Sequence, residues 1–395
     1  MRGLKGSDME FALSEEHRAF RDMVQRFVAA EMPKDWARDL ERKEDEYPFE
    51  LWDKFTEGGF HGLGIPEEYG GVGGDLIMQV IAARALSRTL SGLAWLWGIT
   101  QFAGAKSITL HGSEEQKRKF LPEIAAGRLR ASISLTEPGG GTDVLGAMRT
   151  FAYPTSSGWM LHGEKIWSSQ SHVADYLLVL ARSDKNVEKN HHGLTLFWVP
   201  AKTPGITITP LKKLGMRSMG SCLIHFNEVE LPHDAVLGEP GRGWQMMLPM
   251  LNNERLLMSA FCLGYIDGVL EDALDYAKQR KAFGKIIGQF QAIQHFIANI
   301  KIAQYSVECM LMDCAAKSAA GQQTLLESTI LKVVSAEESN RCADLGIQIL
   351  GGMGYSAETD MQRYWRDSRL QRIGPITDEM ARNMIAEQLG LPRSF

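Results

Sequence analysis

A single carboxylate, that of Glu254, lies on a predicted helix face that is otherwise apolar. At helical spacing this face carries Met247, Met250, Leu251, Leu257, Met258, Phe261 and Tyr265. A carboxylate in such surroundings is costly unless it is paired, protonated or functional. Burial also makes a carboxylate a stronger base, which the removal of a proton from carbon requires. Glu254 is therefore a candidate general base; a salt bridge to Arg255 or to a neighbouring helix is the alternative.

A second group of residues suited to chemistry lies between residues 131 and 169. Apolar alternation indicates one strand before Pro138 and another that ends near Ile166, and three glycines, Gly139 to Gly141, lie between them. Glycine lets the backbone approach a flat ligand closely. Short hydroxyls and one broad aromatic face accompany it, those of Thr136, Thr142, Ser169 and Trp167. This combination suits an isoalloxazine ring; a surface turn and a core tryptophan are the alternative.

Three blocks of hydrophobic periodicity must position these residues. Residues 10–125 follow the helical period, and Ser14 and Ser113 are predicted to cap two of the helices. From residue 131 to about 235 the period becomes two, which predicts an antiparallel β domain. Long helical segments return from Trp244 onward. One of them carries a helix-bundle seam of Phe290, Ile293, Ile297, Ile300, Val307, Leu311 and Cys314.

Composition excludes several classes of function. The 395 residues are 44% hydrophobic and carry a net charge of -5 without a basic stripe, so nucleic acid is not an expected partner. No apolar run is long enough to span a membrane, and the first residues do not resemble a targeting signal, which predicts a cytoplasmic protein. Five cysteines without a C-x-x-C pattern predict reduced thiols and no structural metal.

Four motifs together resemble the acyl-CoA dehydrogenase flavoproteins. They are LTEPGGGTD at residues 135–143, KIWSS at 165–169, RKAFG at 280–284 and QILGGMGY at 348–355. The resemblance covers residues 10 to 390, and it is closest to short/branched-chain and crotonobetainyl-CoA reductase-like bacterial members. It implies an N-terminal helical domain (1–128), a middle antiparallel β domain of barrel or sandwich type (129–238) and a C-terminal four-helix bundle (239–395). It also implies FAD as cofactor, an electron-transfer flavoprotein as acceptor and a homotetramer built as a dimer of dimers.

The resemblance also implies a role for individual residues. FAD contacts are expected from Leu135, Thr136, Thr142, Trp167, Ser169, Arg280, Phe283, Gln291, Gln348, Gly351, Gly352, Thr377 and Glu379. Acyl-CoA contacts are expected from Thr142, Trp95, Ile99, Phe102, Asn252 and Arg255. The alternatives are ordinary core for the three acyl-pocket residues, a solvated charge for Arg255 and a helix N-cap for Thr377. Glu254 matches one of the two positions at which the family places its catalytic base.

The other position of the base departs from the family pattern. Where many members carry a glutamate, this chain has Pro375, or Gly374 if the register slips by one, and neither can be a base. In the family a backbone N–H at this position also binds the thioester oxygen, and proline has no N–H. Two outcomes are open: the loop shifts so that Ile376 supplies the donor, or a ribityl hydroxyl of the flavin acts alone. We expect the shift.

The expected reaction is α,β-dehydrogenation of an acyl-CoA thioester to the 2-enoyl-CoA. Glu254 would take the α-proton while the N5 atom of FAD, near Ser169 and shielded by Trp167, receives the β-hydrogen as hydride. An enoyl-CoA reductase that runs the same chemistry in reverse is the first alternative. A flavin monooxygenase or nitroalkane-oxidase-like enzyme follows, and a non-catalytic DNA-binding relative comes last. The sequence leaves open the acyl group, the physiological direction and the electron acceptor.

Overall fold

The computed structural model describes residues 13–43 and 46–393, so most of the segment inspected for a targeting signal lies outside it. Within these residues the α-helices are α1 (Glu15–Glu31), α2 (Lys34–Arg42), α3 (Phe49–Glu57), α4 (Leu76–Leu90), α5 (Trp95–Thr100), α6 (Ser107–His111), α7 (Glu114–Ala125), α8 (Gly243–Gln279), α9 (Gln291–Ala319), α10 (Leu325–Leu350), α11 (Gly352–Tyr355), α12 (Met361–Gln371) and α13 (Asp378–Gln388). The strands are β1 (Ala131–Ser134), β2 (Phe151–Thr155), β3 (Gly158–Ser169), β4 (Tyr176–Arg182), β5 (Leu194–Pro200), β6 (Ile206–Leu211), β7 (Ser221–Pro232), β8 (Val236–Leu237), β9 (Lys281–Ala282) and β10 (Lys285–Ile286). The predicted order of helical, β and helical blocks is confirmed.

Local capping signals start two helices where the sequence predicts them. The Ser14 hydroxyl accepts a hydrogen bond from the backbone N–H of His17 at 3.2 Å, and the His17 ring accepts one from the N–H of Ser14. Ser113 and Gln116 form the same reciprocal pair at the start of α7. Each capping box satisfies donors that the first turn of a helix leaves without an intrahelical partner.

The chain divides into two compact units. The sheet unit comprises Asp39–Gly74 and Leu93–Glu254, and the helical unit comprises the residues up to Arg38, Asp75–Gly92 and those from Arg255 onward. Helix α8 is continuous through the division between Glu254 and Arg255. No helix in the described part of the chain combines the length and the apolarity that a membrane span requires.

The large sheet of the sheet unit is mixed, which corrects the prediction of an antiparallel domain. Its strand order is β6-β7-β3-β2-β4-β5-β8, with β1 also paired to β4. Strand β1 runs parallel to β4, with Ala131 opposite Tyr176, and β2 meets β4 in the same sense. Hydrophobic alternation reports which side of a strand is buried and not the direction of its neighbour, so the pattern could not reveal these two pairings.

Strands β4 and β5 are buried on both faces because two separate cores cover them. One core contains Leu178, Leu180, Leu196 and Trp198, and the other contains Leu177, Val179, Phe197 and Val199. Successive side chains of a strand point to opposite faces, so each strand contributes alternately to the two cores. The strands of this sheet thereby form a rigid support for the loops at their ends.

Long helices α8, α9 and α10 dominate the helical unit. The predicted α9 seam is buried from Ile300 onward, whereas Phe290, Ile293 and Ile297 are only half-buried. Helix α12 was not predicted, because its sequence MQRYWRDSRLQ is rich in charge. Two of its charged residues, Arg363 and Asp367, are nevertheless buried and hydrogen-bonded. The Asp367 carboxylate accepts hydrogen bonds from the Ser91 hydroxyl and the Gly92 N–H at 2.7 and 2.9 Å. These bonds offset the cost of burying the charge.

Candidate active site

A buried ion pair secures the glycine loop, which we define as residues 135–143. The Lys165 ammonium on β3 donates hydrogen bonds to the Leu135 carbonyl at 2.9 Å and to the Glu137 carboxylate at 3.0 Å. The same carboxylate accepts the N–H groups of Arg149 and Thr150 at 2.7 and 2.9 Å. No local sequence pattern predicts a role for Lys165 or Glu137, although both belong to the motifs at residues 135–143 and 165–169. The pair holds the first half of the glycine loop against the sheet.

The pKa values of both members of this pair lie below their ordinary ranges. Burial would raise the pKa of the Glu137 carboxyl, but the Lys165 ammonium and the two N–H groups outweigh it and hold that pKa below its usual range. Burial lowers the pKa of Lys165 to about 8, against the opposing influence of Glu137. Charged side chains this deep in the protein are stabilised by the ion pair together with these hydrogen bonds to the backbone.

The glycine loop has room and free donors for a flat polar ligand. A Cβ atom added at Gly139 or Gly141 would meet nothing within 4 Å, and Gly141 has a φ of +51°. The N–H groups of Gly141 and Thr142 donate no hydrogen bond to any described residue, nor do the hydroxyls of Thr136, Thr142 and Ser169 form one. The isoalloxazine edge of FAD presents the complementary acceptors and donors. The residues of the glycine loop and Ser169 therefore fit the isoalloxazine ring of FAD.

Trp167 faces outward because β3 bulges at this point. The register between β3 and β7 shifts between Lys165 and Ser168, and Trp167 lies inside the shift with a φ of +62°. Bulges commonly re-aim a side chain near functional sites. The indole is 58% exposed, so the alternative of a core tryptophan is wrong. The Ile166 N–H of β3 donates a hydrogen bond to the Thr136 carbonyl of the glycine loop at 2.8 Å. The broad aromatic face of Trp167 is therefore available beside the glycine loop.

Gln170, for which the sequence predicts no role, anchors the end of the KIWSS segment. Its side chain is fully buried and donates to the Thr100 hydroxyl at 2.8 Å and to the Ala131 carbonyl at 2.9 Å. The Tyr47 hydroxyl donates to the amide oxygen of Gln170 at 3.1 Å. All four residues are distant in sequence, so no local pattern could have revealed the network. It links β3 to the last residue of α5.

Helix α5 carries the predicted acyl-pocket residues. Trp95, Ile99 and Phe102 are buried, and the segment Gln101–Lys106 continues α5 as a π-helix. Single π-helical turns are rare in proteins, and those that occur are often found at functional sites. Phe102 packs in the same core cluster as Ile65 and Ile124, which favours the alternative of ordinary core for this residue. For Trp95 and Ile99 the role in the acyl pocket stays a prediction.

Glu254 lies half-buried on α8, next to a well-buried apolar face. Met247, Met250, Met258, Phe261 and Tyr265 on that face are completely inaccessible to solvent. Arg255 is buried as well, with its guanidinium 3.9 Å from the sulfur of Met384 on α13, so the alternative of a solvated charge is wrong. Asn252 is half-buried. The roles of Asn252, Glu254 and Arg255 stay predictions.

The helical unit presents the remaining predicted cofactor residues to solvent. Phe283 is 93% exposed at the two-residue turn between β9 and β10, and the Arg280 guanidinium forms no ion pair with a described residue. Gln291 and Gln348 are exposed, and the space next to Gly351 and Gly352 is empty within 4 Å. An unpaired guanidinium and free amides fit a diphosphate and its sugar. Glu379 is exposed. The Thr377 hydroxyl accepts a hydrogen bond from the N–H of Met380, so the alternative role of Thr377 as the N-cap of α13 is confirmed.

The loop between α12 and α13, residues 373–377, contains one position of special interest. Pro375 has no N–H, and the N–H of the following Ile376 donates to no group in the described part of the chain. A half-buried residue with an unused N–H is unusual, since most such groups are paired in native proteins. The loop therefore has a donor available one residue after the proline.

No cluster of three or more histidine, cysteine or acidic side chains suited to a metal occurs among residues 13–43 and 46–393. The sheet unit contains the glycine loop with its unused donors, the exposed indole of Trp167 and the half-buried Glu254 carboxylate. The helical unit contains the loop in which the Ile376 N–H has no acceptor among the described residues.

Comparison with known proteins identifies relatives along nearly the whole chain. The family models for the acyl-CoA dehydrogenase N-terminal, middle and C-terminal domains match residues 14–128, 132–229 and 241–390. The probable acyl-CoA dehydrogenase YngJ of Bacillus subtilis (strain 168) is 32% identical, over 96% of this chain and 100% of that protein. The structure of butyryl-CoA dehydrogenase from Megasphaera elsdenii is 30% identical with a TM-score of 0.90, over 95% of this chain and 98% of that one. An FAD complex of PigA is 26% identical with a TM-score of 0.90, over 96% and 98% of the two chains.

Proposed function

Because the chain belongs to the acyl-CoA dehydrogenase family, it is an FAD-dependent oxidoreductase that dehydrogenates acyl-CoA thioesters, and we propose that Glu254 is its catalytic base. The observation that carries this assignment is a half-buried carboxylate beside an apolar helix face most of whose residues are buried. Pro375 and Gly374 remove the alternative location of the base. In this reaction the Glu254 carboxylate removes a proton from the carbon next to the thioester carbonyl.

When bound, FAD would supply the acceptor for the β-hydrogen and its electron pair. The residues proposed to hold the ring edge are those with free hydroxyls and N–H groups in the glycine loop and at Ser169, and Leu135 contributes backbone there. Trp167 covers one face of the ring. Arg280, Phe283, Gln291, Gln348, Gly351 and Gly352 are proposed to hold the diphosphate and adenosine portion. Glu379 and Thr377 are included on resemblance, although the Thr377 hydroxyl is engaged as a helix cap.

Removal of the α-proton places negative charge on the thioester oxygen. We propose that the N–H of Ile376 donates to this oxygen, because Pro375 cannot and the Ile376 N–H has no other acceptor among the described residues. A preorganised donor aimed at developing charge is commonly the largest single contribution to catalysis, about 10²–10³-fold in rate. Thr142, Asn252 and Arg255 are proposed to contact the substrate.

We also propose a short or medium acyl chain, an electron-transfer flavoprotein as acceptor and a homotetramer. The large side chains of Trp95 and Ile99 occupy space that a long acyl chain would need. The acceptor, the tetramer, the cytoplasmic location and the domain bounds 1–128, 129–238 and 239–395 rest on the sequence and on family membership. The reverse reaction would use the same base and the same cofactor.

The test is anaerobic titration of the FAD-loaded protein with a panel of acyl-CoA thioesters while the flavin absorbance is followed. Glu254→Gln should retain FAD and assembly but lose at least roughly 10³-fold in the rate of flavin reduction, within the range of general-base catalysis. Glu115→Gln, at an exposed position on α7, is the matched control. Near-normal flavin bleaching by Glu254→Gln would show that another group is the base.

A further inference from the structure

The carboxylate of Asp378, at the first turn of α13, ties together three separate segments. It is 1% exposed. One of its oxygens lies 2.7 Å from the Lys332 ammonium on α10, and the other lies 3.0 Å from Nε of Arg372, just after α12. Lys332 itself is completely buried. Loss of the Asp378 carboxylate would leave the buried Lys332 ammonium without this counter-ion, and breaking one partner of a buried pair is strongly destabilising.

The same residues close the base of the loop 373–377. The N–H of Asp378 donates to the carbonyl of Arg372 at 3.1 Å, so a backbone bond and an ion pair join the same two residues. On the α12 side the N–H groups of Ile373 and Gly374 donate to the Leu370 carbonyl. Residues 373–377 therefore form a five-residue loop whose two ends are held together.

A second connection fixes this loop base to α10. Glu337 accepts a hydrogen bond from Arg382 of α13 at 2.7 Å and lies 3.5 Å from Arg372. Lys332 and Glu337 are five residues apart on α10, and each contacts residues on the α12–α13 junction. The junction thus cannot shift along α10 without breaking ion pairs at two levels.

We propose that Asp378 is a positioning residue, which holds the loop 373–377 so that the N–H of Ile376 points at the thioester oxygen. The inference rests on the proposed function of Ile376. Ile376 lies two residues before Asp378, and Thr377 between them is fixed by its cap on Met380. Positioning matters because a displacement of about 1 Å can cost on the order of 10²-fold in rate. Asp378 contacts neither substrate nor cofactor in this scheme and acts through the loop.

Two variants separate positioning from folding. Asp378→Asn removes the negative charge and leaves Lys332 buried without its counter-ion. It therefore tests the ion pairs of Asp378, but it can also unfold the protein. The double variant Lys332→Met/Asp378→Asn removes both charges and should fold, with FAD content and size like those of the unmodified protein. Asp344→Asn, at an exposed position on α10, is the matched control. We expect the double variant to lose at least roughly tenfold in kcat with KM changed less than about threefold.

A spectroscopic readout tests the same point without turnover. A chromophoric enoyl-CoA, with an aromatic donor conjugated to the thioester carbonyl, absorbs at longer wavelength when hydrogen-bond donors polarise that carbonyl. The FAD-loaded protein and Glu254→Gln should both show the red shift, and the Lys332→Met/Asp378→Asn variant should show less than half of it. A double variant with the full red shift and unchanged kcat would overturn the positioning role while the proposed function stands. If the unmodified protein binds the probe without a red shift, the Ile376 assignment fails and this inference fails with it.

Discussion

The ion pair between Lys165 and Glu137 gives the sharpest test of how the glycine loop is built. In Lys165→Met the side chain keeps nearly its length, but the bonds to Leu135 and Glu137 are lost. Glu137 keeps its two backbone N–H donors and loses its counter-ion while its side chain remains only 8% exposed. Removing one partner of a buried pair typically costs about 3–5 kcal/mol.

The expected loss corresponds to a large thermal shift. For a cooperative unit of roughly 200 residues, such as the sheet unit, each kcal/mol lowers Tm by about 2–4 °C. Lys165→Met should therefore lower Tm by roughly 6–20 °C. Because the pair flanks the glycine loop, FAD release, followed by flavin fluorescence, should precede the loss of tryptophan signal in the variant. Lys202→Met, at an exposed position after β5, is the control and should shift Tm by less than about 2 °C.

A double-mutant cycle decides whether the pair is the cause. Glu137→Gln alone leaves Lys165 buried without its counter-ion, so it should cost about as much as Lys165→Met. The double variant Lys165→Met/Glu137→Gln has no buried charge, and its destabilisation should fall short of the sum of the two single variants by about 0.5–3 kcal/mol. Strict additivity, or a Tm of Lys165→Met within about 2 °C of the unmodified protein, would refute the reasoning.

Two further predictions concern the substrate site. Trp95→Ala should raise kcat/KM by at least about tenfold for acyl chains two to four carbons longer than the preferred one, because a methylene in an apolar pocket changes kcat/KM by roughly 10–200-fold. Efficient turnover of palmitoyl-CoA by the unmodified protein would contradict the proposed short acyl pocket. Pro375→Gly should leave turnover within about threefold of normal if Ile376 is the oxyanion donor, whereas a rise of at least tenfold in steady-state assays would show that a donor is missing at position 375.

Much of the secondary structure followed from local chemistry. Ser14 and Ser113 mark helix starts because their hydroxyls reach an N–H three residues ahead, an interaction that requires no other part of the chain. The strands β3, β4 and β5 fall within the block from residue 131 to about 235 that was predicted to form β structure, because burial imposes a period of two on the sequence of a strand. The resemblance carried by the glycine loop and the KIWSS segment likewise predicted the family, since those motifs are short and contiguous.

Only the tertiary structure decided how those pieces are held. The parallel pairing of β1 with β4, the Gln170 network and the ion pair of Lys332 with Asp378 all join residues far apart in sequence. Helix α12 is a second example, because charged residues such as Arg363 and Asp367 are expected at the surface from sequence alone. In the structure both are buried, and each forms hydrogen bonds with its own partner. Periodicity reports whether a side chain faces solvent or core, whereas the partner that makes a buried charge tolerable is chosen by three-dimensional proximity, which a linear pattern does not encode.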